Sequence, residues 1–475
     1  MPITRKQQIL VKKETTEGGG ATFAGSDAIQ VYDPSISDTV DQLDRVPSGA
    51  TLSRDFTPVG RKQRELTFTS DFRGSGTPAT VPDWGQLLES CGYKQDGTTL
   101  RLLKIDFSSD GAASGLFQLG EQITQSAGAD VAVVVGCFTS GNVPKTTASL
   151  TDDYMIAVEI AGTIETDVAT TGGSSGATIS TADVSVTSNH HAYVPTSDKL
   201  IQISDSGNWT NNPVAGNVVR IERSSVLIGS AQIISATTTT ADIVLLWGSV
   251  ASGDVIKTGA TTNGTLDVVP VMTGTPSLAF EHNREGRNRS LNGAGATFRV
   301  AGEVGQPMSF TWNYQGDVGT DVNASPLVTS NLGTTRAPRL LGAICAYGSG
   351  ADLRTLQTKS INFDNGGTVS PNLDANSAGG STGANVTDRD SSLTVTVDNT
   401  LSTVDWEGLR DAGTAVRVGF VLGTTAGNIV SMVMPNCQVT EVSIGDSDGV
   451  STMDLTLRPR RIAESGDDEI FFSQL

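Results

Sequence analysis

Apolar and polar residues alternate along Leu393, Val395 and Val397, and again along Val416, Val418 and Phe420. A period of two over such runs predicts strands with one buried and one wet face. Between them, STVDWEGLRDAG predicts one short helix. Ser402 or Thr403 can cap it, Asp405 falls in its first turn, and Gly413 can close it. Val404, Trp406 and Leu409 can share part of one face, which gives the helix something to bury. The runs NIVSMVMP, CQVTEVSIG and TMDLTLRPR carry the strand pattern on to Arg461. One helix packed on an antiparallel sandwich is the simplest arrangement.

The same text occurs earlier in the chain. Val81, Asp83, Trp84, Leu87 and Gly92 echo Val404, Asp405, Trp406, Leu409 and Gly413. Each copy follows an L-T-x-T run, Leu66–Thr69 in one and Leu393–Thr396 in the other. Upstream, TVDQLD at 39–44 echoes TVSPNLD at 368–374; downstream, ATFRVAGEVGQPMSFTW at 296–312 echoes CQVTEVSIG and STMDLTL. Four correspondences in one order point to an internal duplication. Asp-Trp with the same flanks weighs in its favour, because the chain has only five Trp.

The expected fold is therefore mainly β: two tandem β-sandwich or barrel units, each with one short helix, plus an inserted all-β module. Residues 1–27 read as an N-terminal arm, since Gly18, Gly19 and Gly20 break it. The first unit is split into 28–100 and 271–316. Residues 101–270 have no counterpart in the second copy and are expected to project outward. Strand candidates within them are 116–119, 130–135, 154–160, 218–221, 231–234 and 243–247. Residues 317–356 read as a linker between units or rings, 357–461 as the second unit, and 462–475 as a C-terminal arm. In that arm, Phe471 and Phe472 either dock on a neighbour or fold back on the chain's own core.

Composition narrows the function more than it names it. With 475 residues, two to four domains fit, at roughly 100–200 residues each. Gly is frequent, at 53, and aromatics are only 5%, as expected of short strands joined by small-residue turns. A net charge of −19 disfavours wrapping nucleic acid, although an acidic surface can let it pass without sticking. Cys91, Cys137, Cys345 and Cys437 are far apart and suggest neither a disulfide framework nor a zinc knuckle. No apolar run approaches the ~20 residues of a membrane helix. The basic N-terminus lacks the apolar segment of a secretory leader.

Residues in patterns that carry chemistry are few. His190 and His191 lie in a polar stretch without carboxylates at useful spacing and read as polar surface residues, while His282 falls in the charged run FEHNREGRNR, read as a turn, with no G-x-S-x-G elbow beside it. GSGT at 74–77 lacks a P-loop lysine. DSDG at 446–449 lacks the distal Glu of a calcium loop and reads better as a tight turn. No catalytic, cofactor or metal residues are assigned.

The runs RELTFTSDFRGSGTPATVPDWGQLLESCGY, GATFRVAGEVGQPMSFTWNYQG, TVSPNLDANSAGGSTGANVTDRDSSLTVTVDNTLSTVDWEGLRDAGT and EVSIGDSDGVSTMDLTLRP resemble the tail tube proteins of bacteriophages with long flexible tails. The likeness covers about residues 8–98 and 275–470; the insert departs from it. It implies a structural virion protein, not an enzyme, made in the host cytoplasm. Subunits would stack as rings into a hollow tube, with the tape-measure protein and DNA as transient occupants and tip and terminator proteins at its ends. With two copies per chain, a trimeric ring of pseudo-sixfold symmetry is favoured over a hexamer. Asp41, Asp44, Asp364 and Asp374 are the candidates for an acidic lumen, and Asp83, Trp84, Leu87, Asp405, Trp406 and Leu409 mark the repeated helices. Two other readings are a surface adhesin or S-layer-like β protein, and a β-sandwich hydrolase.

Overall fold

Alternation in RELTFTSD and SLTVTVD does set one face of each strand against a core. Leu66, Phe68, Leu393, Val395 and Val397 are buried, while the threonines between them face outward. These strands belong to a computed structural model. It describes residues 7–475 except 44–56, 96–101, 108–113, 126–129, 140–141, 149–152, 167, 180–182, 188–189, 197–198, 206–208, 215–216, 249–251, 259–260, 267–270, 275, 285, 325, 328–332, 334, 351, 400–403 and 463–465. The fold is mainly β with two α-helices among the described residues, and none of their helices is long and apolar enough to cross a membrane.

The first half of the body contains β1 (Gln7–Lys13), β2 (Ala28–Ile29), β3 (Tyr32–Gln42), β4 (Val59–Asp71), α1 (Asp83–Glu89) and β5 (Tyr93–Gln95). After the insert, of which β6 (His191–Pro195) joins the body, come β7 (Leu278–Arg284), β8 (Arg287–Glu303) and β9 (Ser309–Val318). The second half contains β10 (Ile344–Ser349), β11 (Asp352–Thr355), β12 (Thr358–Asp364), β13 (Gly367–Leu373), β14 (Ser381–Arg389) and β15 (Ser392–Asp398). It continues with α2 (Trp406–Ala412), β16 (Ala415–Leu422), β17 (Val430–Ser447), β18 (Val450–Pro459) and β19 (Phe471–Gln474).

The two halves share one topology. In the first, β3 pairs β4, β4 pairs β9, β9 pairs β8, β8 pairs β7 and β7 pairs β1. In the second, β12 pairs β15, β15 pairs β18, β18 pairs β17, β17 pairs β16 and β16 pairs β10. Each helix sits between corresponding strands in the chain. The paired texts at 39–44 and 368–374 fall on β3 and β13, at the outer ends of corresponding hairpins; Leu43 is the last described residue of the first.

The helices differ in how they are held. In α2 the Asp405 carboxylate accepts from the Gly408 amide at 2.9 Å, and Gly413 takes φ 63° to end the helix. Asp405 is thus the cap itself rather than a first-turn residue, and Ser402 and Thr403 lie outside the described residues. α1 has no side-chain cap but buries Trp84, Leu87 and Leu88. Gly85 is required there, because a Cβ would meet the Tyr193 hydroxyl of β6. α2 buries only Trp406 fully, with Val404 and Leu409 packed against the core edge.

One apolar cluster runs through both halves, from Trp84 and Trp312 to Trp406. Phe472 lies between them, with ring centroids 5.8 Å from Tyr93, Phe298 and Phe363. The C-terminal stretch is therefore core, not an arm: Phe471 and Phe472 are fully buried and β19 pairs with β17 and β6. The N-terminal stretch also departs from the expected arm. Ile9, Leu10 and Val11 are buried and β1 pairs along its whole length with β7, because a short apolar run between charged ends is enough for a central strand. Likewise β10 and β11, expected in the linker, extend the second half.

The insert does not project as a unit. Its first part is a sheet built around Asp130–Thr139 and Asp153–Ala161. The run VAVVVGCF is apolar on both faces: Ala132, Val134 and Cys137 face the sheet's own core, while Val133, Val135 and Phe138 pack with Val421, Ile429, Val433 and Phe471 of the body. Its second part, residues 199–274, has a separate core around Ile221, Ile233 and Ile243. Its first and last strands pair, with Lys199 opposite Gly274, so this lobe begins and ends at one place. His191, expected at the surface, lies in β6 at 8% exposure, and His282, expected in a turn, lies in β7 at 3%.

Candidate assembly surface

The body's two halves join edge to edge. β8 of the first pairs with β12 of the second, with Arg299 opposite Asp364, Val300 opposite Phe363 and Ala301 opposite Asn362. A continuous run of eight antiparallel strands results within the body's larger sheet, in the order β3-β4-β9-β8-β12-β15-β18-β17. Among the described strands both ends are open. β3 pairs there only with β4. β17 is long and changes role along its length: Val430–Gln438 pairs with β16, while beyond Gln438 it pairs only with β18 among the described strands. Such edges present unpaired amides and carbonyls to other chains. Eight is an even number of alternating strands, so the two open edges run in opposite directions.

Apolar side chains are left uncovered at the same places. Ile444 on the outer part of β17 is 69% exposed, and Val40 on β3 is 40% exposed. Ile444 lies opposite Met453 on the core-facing side of the sheet, so it continues a buried row past the edge of the body. The β17–β18 turn is tight, with Asp448 and Gly449 at positive φ, in agreement with the turn expected for DSDG.

The other face of this sheet is short and polar. Thr67, Thr69, Thr311, Asn362, Thr394, Thr396, Thr456 and Ser443 stand on it in register across the strands. Its charges lean negative. Glu65, Glu303, Glu441 and Asp454 have no ion pair among the described residues, whereas Arg299 is matched by Asp364 at 2.7 Å. The acidic residues read from the sequence land less favourably. Asp364 is on this face but neutralised; Asp41 pairs with Arg61 at 3.5 Å; Asp374 holds a turn by accepting from the Asn376 amide at 2.8 Å. Asp44 lies outside the described residues. The free carboxylates were signalled only by their positions in alternating runs, as in ELTFT, and the arginine partners are too distant in sequence to be read.

Behind β3 lies a charged cluster that fixes this edge to the body. Arg64 is 1% exposed; its guanidinium donates to Asp38 at 2.6 Å, to Asp321 at 2.8 Å and to the Ser290 carbonyl at 2.7 Å. Arg289 also contacts Asp38 and donates to the Ile36 carbonyl, and Arg287 reaches Asp321. The Arg64 hydrogen bond, against the cost of burial, holds the Asp38 carboxyl below its usual range. No protein-family model and no curated protein matches this chain.

Proposed function

We propose that this protein is the subunit of a hollow tube of the phage-tail type. Three chains close a ring around a channel, and rings stack along its axis. The observation that carries this reading is the run of eight strands with two open edges pointing in opposite directions. Joining β17 of one chain to β3 of the next keeps the antiparallel alternation, and a head-to-tail contact of this kind closes rings. The repeat supports three chains, since two matching halves per chain fill six similar positions. The polar face supports a channel: small hydroxyl side chains and unpaired carboxylates would repel passing DNA phosphates rather than bind them. In this reading the tape-measure protein and DNA occupy the channel in turn, tip and terminator proteins meet the tube's ends, and the protein catalyses nothing.

Electron microscopy of the purified protein tests this, with symmetry averaging of end-on particles. Tubes or rings of three chains are the expected result. Six chains per ring would overturn the trimer, flat lattices would favour the surface-layer reading, and a monomer at every concentration would sink both.

A further inference from the structure

We infer that the junction between the two halves of one chain is the template for the junction between chains, and that it fixes the register of the contact. The inference rests on the ring reading above and adds the partner residues. Leu66 of β4 and Leu393 of β15 are equivalent in the repeat. Leu66 lies opposite Ile36, and Leu393 opposite Phe363, so Ile36 takes the place of Phe363. Across the other ladders, Leu66 faces Tyr314 and Leu393 faces Leu457; stepping along these pairs, Val300 lies opposite Phe310 and Ile444 opposite Met453, so Ile444 takes the place of Val300.

Within the chain, Val300 and Phe363 are directly paired, and both are fully buried. Their counterparts are not: Ile444 is 69% exposed and Ile36 only partly buried. The same position in the repeat is thus covered where the chain supplies its own neighbour and bare where it does not. Transferred to the open edges, the template places Ile444 opposite Ile36 of the next chain, Ser443 opposite Ser37 and Gly445 opposite Ser35. The ladder ends at Asp33 and Pro34, where β3 bulges and proline offers no amide. Val442, the counterpart of Phe298, lies diagonally across from Ile36, as Phe298 does from Phe363 at a ring distance of 6.0 Å.

Two further consequences follow from the template. The ion pair Arg299–Asp364 maps onto Ser443 and Ser37, so the contact between chains lacks the charge pair of the internal one. Also, the β13–β14 hairpin laps across β8 and β9, with its turn reaching the Lys62 amide through the Gly379 carbonyl. The outer ends of the next chain's β3 and β4, with exposed Val40 and Val59, cover β17 and β18 in the same way.

The test is disulfide capture in the full-length protein. Its four native cysteines are buried and do not compete. Ile36→Cys with Ile444→Cys should, on mild oxidation of assembled particles, give covalent dimers and a closed trimer. Ser35→Cys with Ile444→Cys points the two thiols to opposite faces and should not. Capture by the second pair, or by neither while particles form, overturns the register but leaves the ring reading standing. If the unmodified protein forms no particles, both fall. Hydrogen exchange on unmodified protein gives an independent readout: the amides of 35–37 and 443–445 should slow on assembly, and unchanged exchange in formed particles overturns the inference. Ile444→Glu should leave the monomer's melting unaltered and raise the assembly concentration about tenfold or more.

Discussion

Two tryptophans hold matching places in the repeat but are anchored differently. Trp84 donates from its indole to the Arg73 carbonyl at 2.7 Å, whereas the buried Trp406 indole has no acceptor among the described residues. Trp84→Phe should therefore cost about 1–3 kcal/mol more than its lost packing, because it strands a buried carbonyl. Trp406→Phe loses packing alone, and paired urea melts should show the smaller change. The charged cluster gives a pH signature. Asp38 has a depressed pKa in the fold, so its contribution is present above the ordinary carboxylate range and is lost as pH falls through it. His282 is pushed down to about 4 by burial and by Arg284 and Arg289, so the unfolded chain takes up its proton first and stability also falls from about pH 6.5 towards 4. His282→Gln should flatten the upper part of that decline, and Asp38→Asn the part below it, at a cost of about 1–3 kcal/mol at neutral pH. Melting temperatures from pH 7 to 3 would separate them.

At the scale of elements, legibility tracked locality. ELTFT and SLTVTV were readable because the partner of each alternating residue is the core, whatever that core is made of. The helices were readable from Asp-Trp and, in α2, from a closing Gly413. β1, β10 and β19 were not, since QILV, ICAY and FFSQ are too short to show a period and owe their place to strands far away in sequence. The β8–β12 junction left no sign at all: Arg299 and Asp364 pair only because two halves meet. The same reasoning explains the misplaced insert, where an apolar run on both faces of Asp130–Thr139 asked for a partner on each side. β19 is the sharpest case. Phe472→Ala should destabilise the protein by about 3–5 kcal/mol, because its ring contacts both halves. A loss below about 1 kcal/mol in denaturant would show that the halves do not depend on it.

For the whole molecule, the four apolar clusters sort the chain into parts that can and cannot be removed. Residues 199–274 form a lobe with its own core and adjoining ends. Deleting them across a short bridge should leave a folded protein with near-unchanged melting, and the isolated lobe should fold. Deleting 101–270 removes β6 and strips cover from Val421, Ile429 and Val433, so that variant should aggregate. Circular dichroism and gel filtration of the two deletions would distinguish these outcomes.

The unlike edges of the eight-stranded run carry one more consequence. A circle of chains joined through them would have no axis that exchanges its top with its bottom. Every copy would lean the same way, and the two rims would offer different residues. A filament of such circles would therefore have a direction: it could lengthen from one end while the other stayed plugged, and a cap shaped for one rim would not seat on the other.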